Sequence, residues 1–383
     1  MNTLTNLIPD LYAGLDTVSR ELTGFIPSVA RSSTAERAAV GEAVRYPIAP
    51  TNSTSNIAPA MTVPEPTDQT IGSDTITITK SKVAEFGFVG EEQRGLNNGP
   101  GYMTVQADMI AQAIRAVVNE MENDLAAAAV AGASRAAGTA GTTPFATNMA
   151  ALFQARKVLV DNGSPESELR AVLNTSAGAN FRTLHSINSD RDYSQMPMSE
   201  QGVLMTSGGM QIRETGQDQP HTAGTGASAT TDTAGYAVGA TTITLASAGT
   251  GTILTGDVIT FAGDSEQYVV LTGDGDVSDG GSITIAAPGL RKAIPASATE
   301  ITVVDSYNPN VVFHRNAIQL VTRAPEVPQE GDMAIDSMMI TDPRSGLALE
   351  ARVYPGYRKM RYEIGAAWGW KTIKSEHCAL LLG

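Results

Sequence analysis

The stretch from Tyr102 to Ala133 limits the possible folds more than any other part of this chain, because it reads as one uninterrupted helix. The cluster Asn97-Asn98-Gly99-Pro100-Gly101 breaks the chain just ahead of it. Met109, Ile110, Ile114, Val117, Met121 and Leu125 then form a continuous apolar stripe, and the end is rich in Ala. At 1.5 Å per residue, roughly 30 residues span ~45 Å. Leu does not recur at heptad spacing, so the segment is expected to be a strut on a core and not a coiled coil.

What surrounds the strut is different in kind. From Asn6 to Ile26, the residues Leu7, Leu11, Leu15, Val18, Leu22 and Phe25 fall on one helical face, with Pro9 in the first turn. From Arg31 to Gly101, Pro47, Pro50, Pro59, Pro64 and Pro66 stand among Thr, Ser and Asn and rule out helix. Within that stretch Asp74 to Lys82 alternates Ile with Thr, which places Ile76 and Ile78 on one face of a strand. The apolar run Ala84 to Val89 follows at once. The expectation is a long extended loop with β-hairpin character, of the kind that binds something.

Beyond the strut, Thr147 is expected to cap a helix that runs through Val160 and closes at Asp161-Asn162-Gly163. A strand at Leu169–Asn174, a helix at Thr175–Ile187 and a strand at Met210–Glu214 give an α+β unit. Between Thr222 and Asp305, Gly, Thr, Ala and Ser dominate. Short alternating runs recur there at Thr241–Ala246, Asp257–Phe261, Gln267–Leu271, Ser282–Ala286 and Glu300–Val304. Evenly spaced strands with turn signals between them imply a small antiparallel barrel or sandwich inserted into the chain. Strands are expected again at Val311–Phe313, Ile318–Thr322, Leu347–Tyr354, Lys359–Trp370 and Cys378–Leu382.

Chemistry is conspicuous by its absence. The formal net charge is −14 and the basic residues are not clustered, so nothing is built to grip a phosphate backbone. Cys378 is the single cysteine, which excludes an intrachain disulfide and a cysteine metal site. His185, His221, His314 and His377 are too far apart in sequence for a helical zinc site. Asp274, Asp276 and Asp279 resemble a calcium loop, but Ile285 stands where the bidentate Glu should be. No G-x-x-x-x-G-K or G-x-S-x-G occurs, and Gly249-x-Gly251 has no helix after it. No signal peptide and no membrane-length apolar run is present. The expectation is a protein of the reducing cytoplasm with no enzymatic activity, no cofactor and no metal.

Several segments resemble the major capsid proteins of tailed bacteriophages with the Hong Kong 97-type fold. NVVFHRNA, Asn310 to Ala317, is similar to that family's Phe-His-Arg/Lys-x-Ala segment. SGLALEARVYPGYRKMRYEIGAAWGWKTIKSEHCALLLG, Ser345 to Gly383, is similar to its closing strands, with Ser375-Glu376 in place of the usual Pro-Glu. LRAVLNTSAGANFR, Leu169 to Arg182, resembles the strand-helix step before the axial domain, and GDVITFAG, Gly256 to Gly263, the inserted β-domain of a podovirus-like branch.

The resemblance implies an N-terminal arm (1–40), an extended loop (41–101), a spine helix with the peripheral domain (102–145) and an axial domain (146–221). The inserted domain (222–305), an axial return (306–340) and peripheral strands (341–383) complete it. It further implies self-assembly into pentamers and hexamers of an icosahedral head around double-stranded DNA. Partners would be a scaffolding protein, a portal at one vertex, and packaged DNA held non-specifically; the location would be the virion, with assembly in the host cytoplasm. Lys80, Lys82, Glu85, Glu91, Glu92 and Arg94 on the loop are the expected contacts with a neighbouring subunit, facing Glu120, Glu122 and Asp124 of its long helix. The competing readings are a carbohydrate- or receptor-binding protein using the inserted domain, and a hydrolase with an unrecognised site.

Overall fold

The computed structural model describes residues 23–50, 52, 54, 56, 57, 59, 61, 62, 68–96, 102–188, 203–341 and 347–383. The amphipathic segment read from Asn6 lies outside them except at its end, where residues 23–29 form turns. In chain order the elements are β1 (Ala30–Ala38), β2 (Ala43–Ile48), β3 (Gly72–Thr77), β4 (Lys80–Val89), α1 (Gly90–Leu96), α2 (Tyr102–Ala131) and β5 (Arg135–Gly138). Next come α3 (Ala150–Asp161), β6 (Leu169–Leu173), α4 (Thr175–Asn188), β7 (Val203–Ser207) and β8 (Met210–Glu214). Then follow β9 (Ala229–Thr230), β10 (Thr242–Leu245), β11 (Val258–Phe261), β12 (Gln267–Thr272), β13 (Gly281–Ile285) and β14 (Glu300–Val303). The last are β15 (Pro309–His314), β16 (Ile318–Pro325), β17 (Asp336–Thr341), β18 (Ala348–Gly356), β19 (Lys359–Thr372) and β20 (Cys378–Leu382).

The strut exists. α2 runs for 30 residues, and Ile110, Ile114, Val117, Met121 and Leu125 are all buried on one side of it. That stripe lies on a six-stranded sheet whose axis is β19, a strand of 14 residues. β4 runs along one edge of β19; β18 and then β16 share the other. β17 closes the β18 side and β1 runs parallel to β16. Residues 30–38, part of the expected N-terminal arm (1–40), form a strand of this sheet.

A second sheet carries the rest. Its strands run β7-β8-β6-β15-β20-β5 and continue into β12-β11-β14-β9, with β13 and β10 attached. α3 and α4 cover one face of its first half, where Leu152, Leu159, Leu173, Phe181, Ile212 and Leu381 pack together. The strands β9 to β14 enclose their own apolar cluster, built from Ile243, Ile259, Phe261, Tyr268, Ile283 and Ile301. β5 links the halves: it is parallel to β20 on one side and antiparallel to β12 on the other. Arg135, 1% exposed, adds an ion pair of 2.5 Å to Glu266 and hydrogen bonds to Val158 O and Asn162 Oδ1.

The start of α3 differs from expectation. The helix begins at Ala150, and it is Asn148 Oδ1, not Thr147, that accepts the first free backbone N–H, from Ala150 at 2.9 Å. Its end is as read, with Gly163 at φ +82° beyond Asn162. Three connections join the two sheets among the described residues. One is α2. The others are short: a 3-10 turn at Arg315–Ala317 between β15 and β16, and another at Ser375–His377 between β19 and β20.

Candidate assembly surface

β2 and β3 pair with each other in a two-stranded ribbon separate from both sheets. Six residues per strand give it a length of roughly 20 Å. The Ile/Thr alternation does what its period demands: Ile76 and Ile78 are both buried, while the Thr residues beside them point outward. Ile78 packs with Ala38 and Ala367, and its backbone bonds to Gly41 and Glu42, which fixes the ribbon's root on the first sheet. The crossing is so close that a Cβ added at Gly369 would lie 2.1 Å from Thr77 O. Lys371 Nζ reaches Asp74 Oδ1 at 2.5 Å across the same crossing. Toward the tip the apolar side chains turn outward: Ile57 and Met61 are fully exposed and Ile71 largely so.

The expected charged residues fall into three groups. Lys80 Nζ lies 2.8 Å from both Glu120 Oε1 and Asp124 Oδ1, and Lys82 also reaches Glu120. These pairs form within one chain, because β4 lies beside α2 and points its lysines at the helix. Lys80 also sits 5.6 Å above the Trp370 ring. Burial works against the Lys80 ammonium, yet the bonds to Asp124 and Glu120 outweigh it and hold its pKa above the usual value. Glu120 is likewise held below its usual value: burial pushes it up, and the bonds to Lys80 and Lys82 more than offset that.

Glu122 corrects the sequence reading. Positions 120 and 124 share a helix face, but 122 lies about 200° around the wheel. Its side chain is buried, and its carboxylate accepts backbone N–H bonds from Gly24 (2.6 Å), Phe25 (2.7 Å) and Ile26 (2.9 Å), and the Thr215 hydroxyl at 3.0 Å. It cannot face a neighbour. Burial is the largest influence on it and pushes its pKa up against those bonds.

The third group remains at the surface. Glu85 pairs with Arg361 across β4 and β19. Glu91, Glu92 and Arg94 are exposed on α1, with Glu92 Oε2 accepting Val89 N–H at 3.0 Å. Sequence reasoning missed the brace around Glu350, 3% exposed, where Arg37 of β1 and Arg352 of β18 converge at 2.5 and 3.0 Å. No spacing in the sequence links Arg37 to Glu350.

The intrachain pairing carries a prediction. Reversing Lys80 and Lys82 to Glu is expected to lower stability by about 1 kcal/mol per pair lost, with the loss shrinking in high salt. Adding Glu120→Lys is expected to restore part of it. Urea denaturation at low and high salt checks both; an unchanged midpoint at low salt would remove the pairs from the account.

Among the described residues, no group of three or more His, Cys, Asp or Glu side chains is placed to hold a metal ion, and no helix is long and apolar enough to cross a membrane. No protein-family profile and no curated protein matches the chain. Solved structures do resemble it. The capsid structure of the cyanophage P-SCSP1u is 14% identical with a TM-score of 0.45, over 91% of this chain and 86% of that one. A Mycobacterium phage Che8 structure is 12% identical with a TM-score of 0.41, over 90% and 84%. A virus-like particle from Pyrococcus furiosus is 9% identical with a TM-score of 0.42, over 97% and 96%. Each is similar to this chain at a level too low to transfer any property.

Proposed function

We propose that this chain is the major capsid protein of a tailed bacteriophage, of the Hong Kong 97 type, assembling with copies of itself into pentamers and hexamers of an icosahedral head. One observation carries the reading: the chain builds a ribbon whose strands, among the described residues, pair only with each other, anchors its root firmly, and leaves Ile57, Met61 and Ile71 exposed toward its tip. A protein acting alone gains nothing from an arm of this kind, and an exposed apolar tip is a contact surface. A tip that lands on a different surface of the next copy makes a heterologous contact, which generates rings and shells. The segments that resemble the capsid family fall on strands of both sheets: Asn310–Ala317 spans β15 and the turn after it, and Ser345–Gly383 holds β18, β19 and β20.

In this reading residues 222–305 form an inserted domain, Glu91, Glu92 and Arg94 contact a neighbour, and the head encloses DNA without sequence-specific grip. A scaffolding protein and a portal are the further partners, and the protein resides in the virion after assembly in the host. Electron microscopy of the purified protein tests it. Closed or irregular shells are expected, and replacing residues 49–71 with a two-residue Asn-Gly turn is expected to leave folded, unassembled subunits. Monomers or small closed oligomers from the unaltered protein would favour the receptor-binding or hydrolase readings instead.

A further inference from the structure

The two short connections between the sheets meet. His314 ends β15 and is 7% exposed; its Nδ1 accepts the Asn316 backbone N–H at 3.2 Å and so caps the 3-10 turn that leads to β16. His377 ends the 3-10 turn that leads from β19 back to β20. The two rings lie edge to face with centroids 6.2 Å apart. The turns are also joined through their backbones, since Ile373 N and Lys374 N both donate to Ala317 O, at 2.8 and 3.4 Å. Asn162, just past the end of α3, holds the second turn by donating to Glu376 O at 2.8 Å. Two adjacent crossings, running in opposite chain directions and carrying one histidine each, thus form a junction, or hinge, between the sheets.

The charged groups facing the pair are few. From β6 and the turn before it come Arg170 and Glu168; Glu168 is bound to Arg315 at 3.2 Å. From the β19–β20 turn come Lys374 and Glu376, 3.9 Å apart. Two carboxylates thus stand against three cations before either ring takes a proton. A proton on His314 Nδ1 would also replace the acceptor of the Asn316 bond with a donor. The hinge as built suits two neutral rings.

We propose that His314 and His377 form a pH-operated release at the hinge between the two sheets: neutral, they let the crossings pack together; protonated, they push the crossings apart while each sheet stays intact. The sign follows from the environment. Burial is the largest influence on both rings and lowers both pKa values below the ordinary one. A group whose folded pKa is depressed favours the opened form as protons are added. The closed hinge is therefore fully stable above the ordinary histidine value of about 6.5, and it weakens as pH falls through that value toward the depressed ones.

Hydrogen exchange of the full-length protein, followed by mass spectrometry and corrected for the intrinsic pH dependence, tests this. Between about pH 7.5 and about pH 5, amides of residues 315–318 and 373–378 are expected to lose protection by about tenfold or more, while those of 311–313 hold theirs. The double variant His314→Asn, His377→Gln keeps a capping acceptor and removes both titrating rings, and its hinge amides are expected to show no such change. The wild-type arm stands by itself if the variant fails to fold. Unchanged protection at the hinge, an equal loss in residues 311–313, or an equal loss in a folded double variant would each overturn the proposal.

Discussion

Trp368→Ala is expected to cost about 3–5 kcal/mol, the largest effect of any single truncation in the first sheet. The side chain is wholly buried on β19, beneath α2, among Ile364, Met121 and Leu125. Truncation leaves a cavity that α2 can collapse into only partly, because Lys80 and the root of the ribbon hold its neighbours in place. It also removes the indole N–H that donates to Asp124 Oδ2 at 2.9 Å, so a carboxylate 7% exposed keeps Lys80 as its partner and loses the other. Trp368→Phe separates the two contributions: it keeps most of the volume, and its share from the lost donor is about 1–3 kcal/mol. Urea denaturation of both variants is the measurement. A Trp368→Ala midpoint within error of the wild type would mean that α2 does not rest on β19 as described.

Val117→Pro is the second. Proline removes the backbone donor and drives its ring into the preceding turn, which costs about 3 kcal/mol or more in a helix interior. Here the site lies midway along the buried stripe, at 4% exposure, so a kink would also pull Ile110 and Ile114 out of register with the sheet below. The expected result is loss of folded protein, read as a drop in helical circular dichroism and a shift to the insoluble fraction. Recovery of folded protein with normal helix content would show that α2 is not the continuous strut it is taken for.

Much of this architecture was legible because it rests on periodicity. The stripe of α2 and the Ile76/Ile78 alternation each state which face is buried, and both faces are buried in the structure. The strands of residues 242–303 were legible because turn clusters separate them. What periodicity does not encode was missed. β1, ARSSTAERA, has no apolar alternation; it is a strand because β16 offers it a parallel edge and Glu350 takes the charge of Arg37. β17, Asp336–Thr341, is defined by its pairing with β18. The charged set was visible as residue types, but the lysines meet Glu120 and Asp124 within the chain, whereas the sequence reading set them against a neighbouring subunit. Whether the partner lies in the same chain depends on where β4 docks, which is a tertiary fact. Glu122 was grouped with its sequence neighbours although the helix turns it the other way.

β5 gives the strands of residues 229–303 an uncommon mounting. A module joined to its host by two chain crossings alone can swing on them. Here the crossings are bridged, His221 to Tyr307, and a second attachment stands apart from them, where Gln267 and Tyr268 pair with Ala136 and Arg135. The bridged crossings and the β5–β12 pairing are two separate attachments, so these strands cannot swing freely on the crossings alone. The arrangement also works in reverse. β5 has β20 on one side and would have a bare edge on the other without β12, and Arg135 would lose Glu266 while keeping Val158 O and Asn162 Oδ1. The strand β5 therefore depends on β12 for its second edge as much as β12 depends on β5.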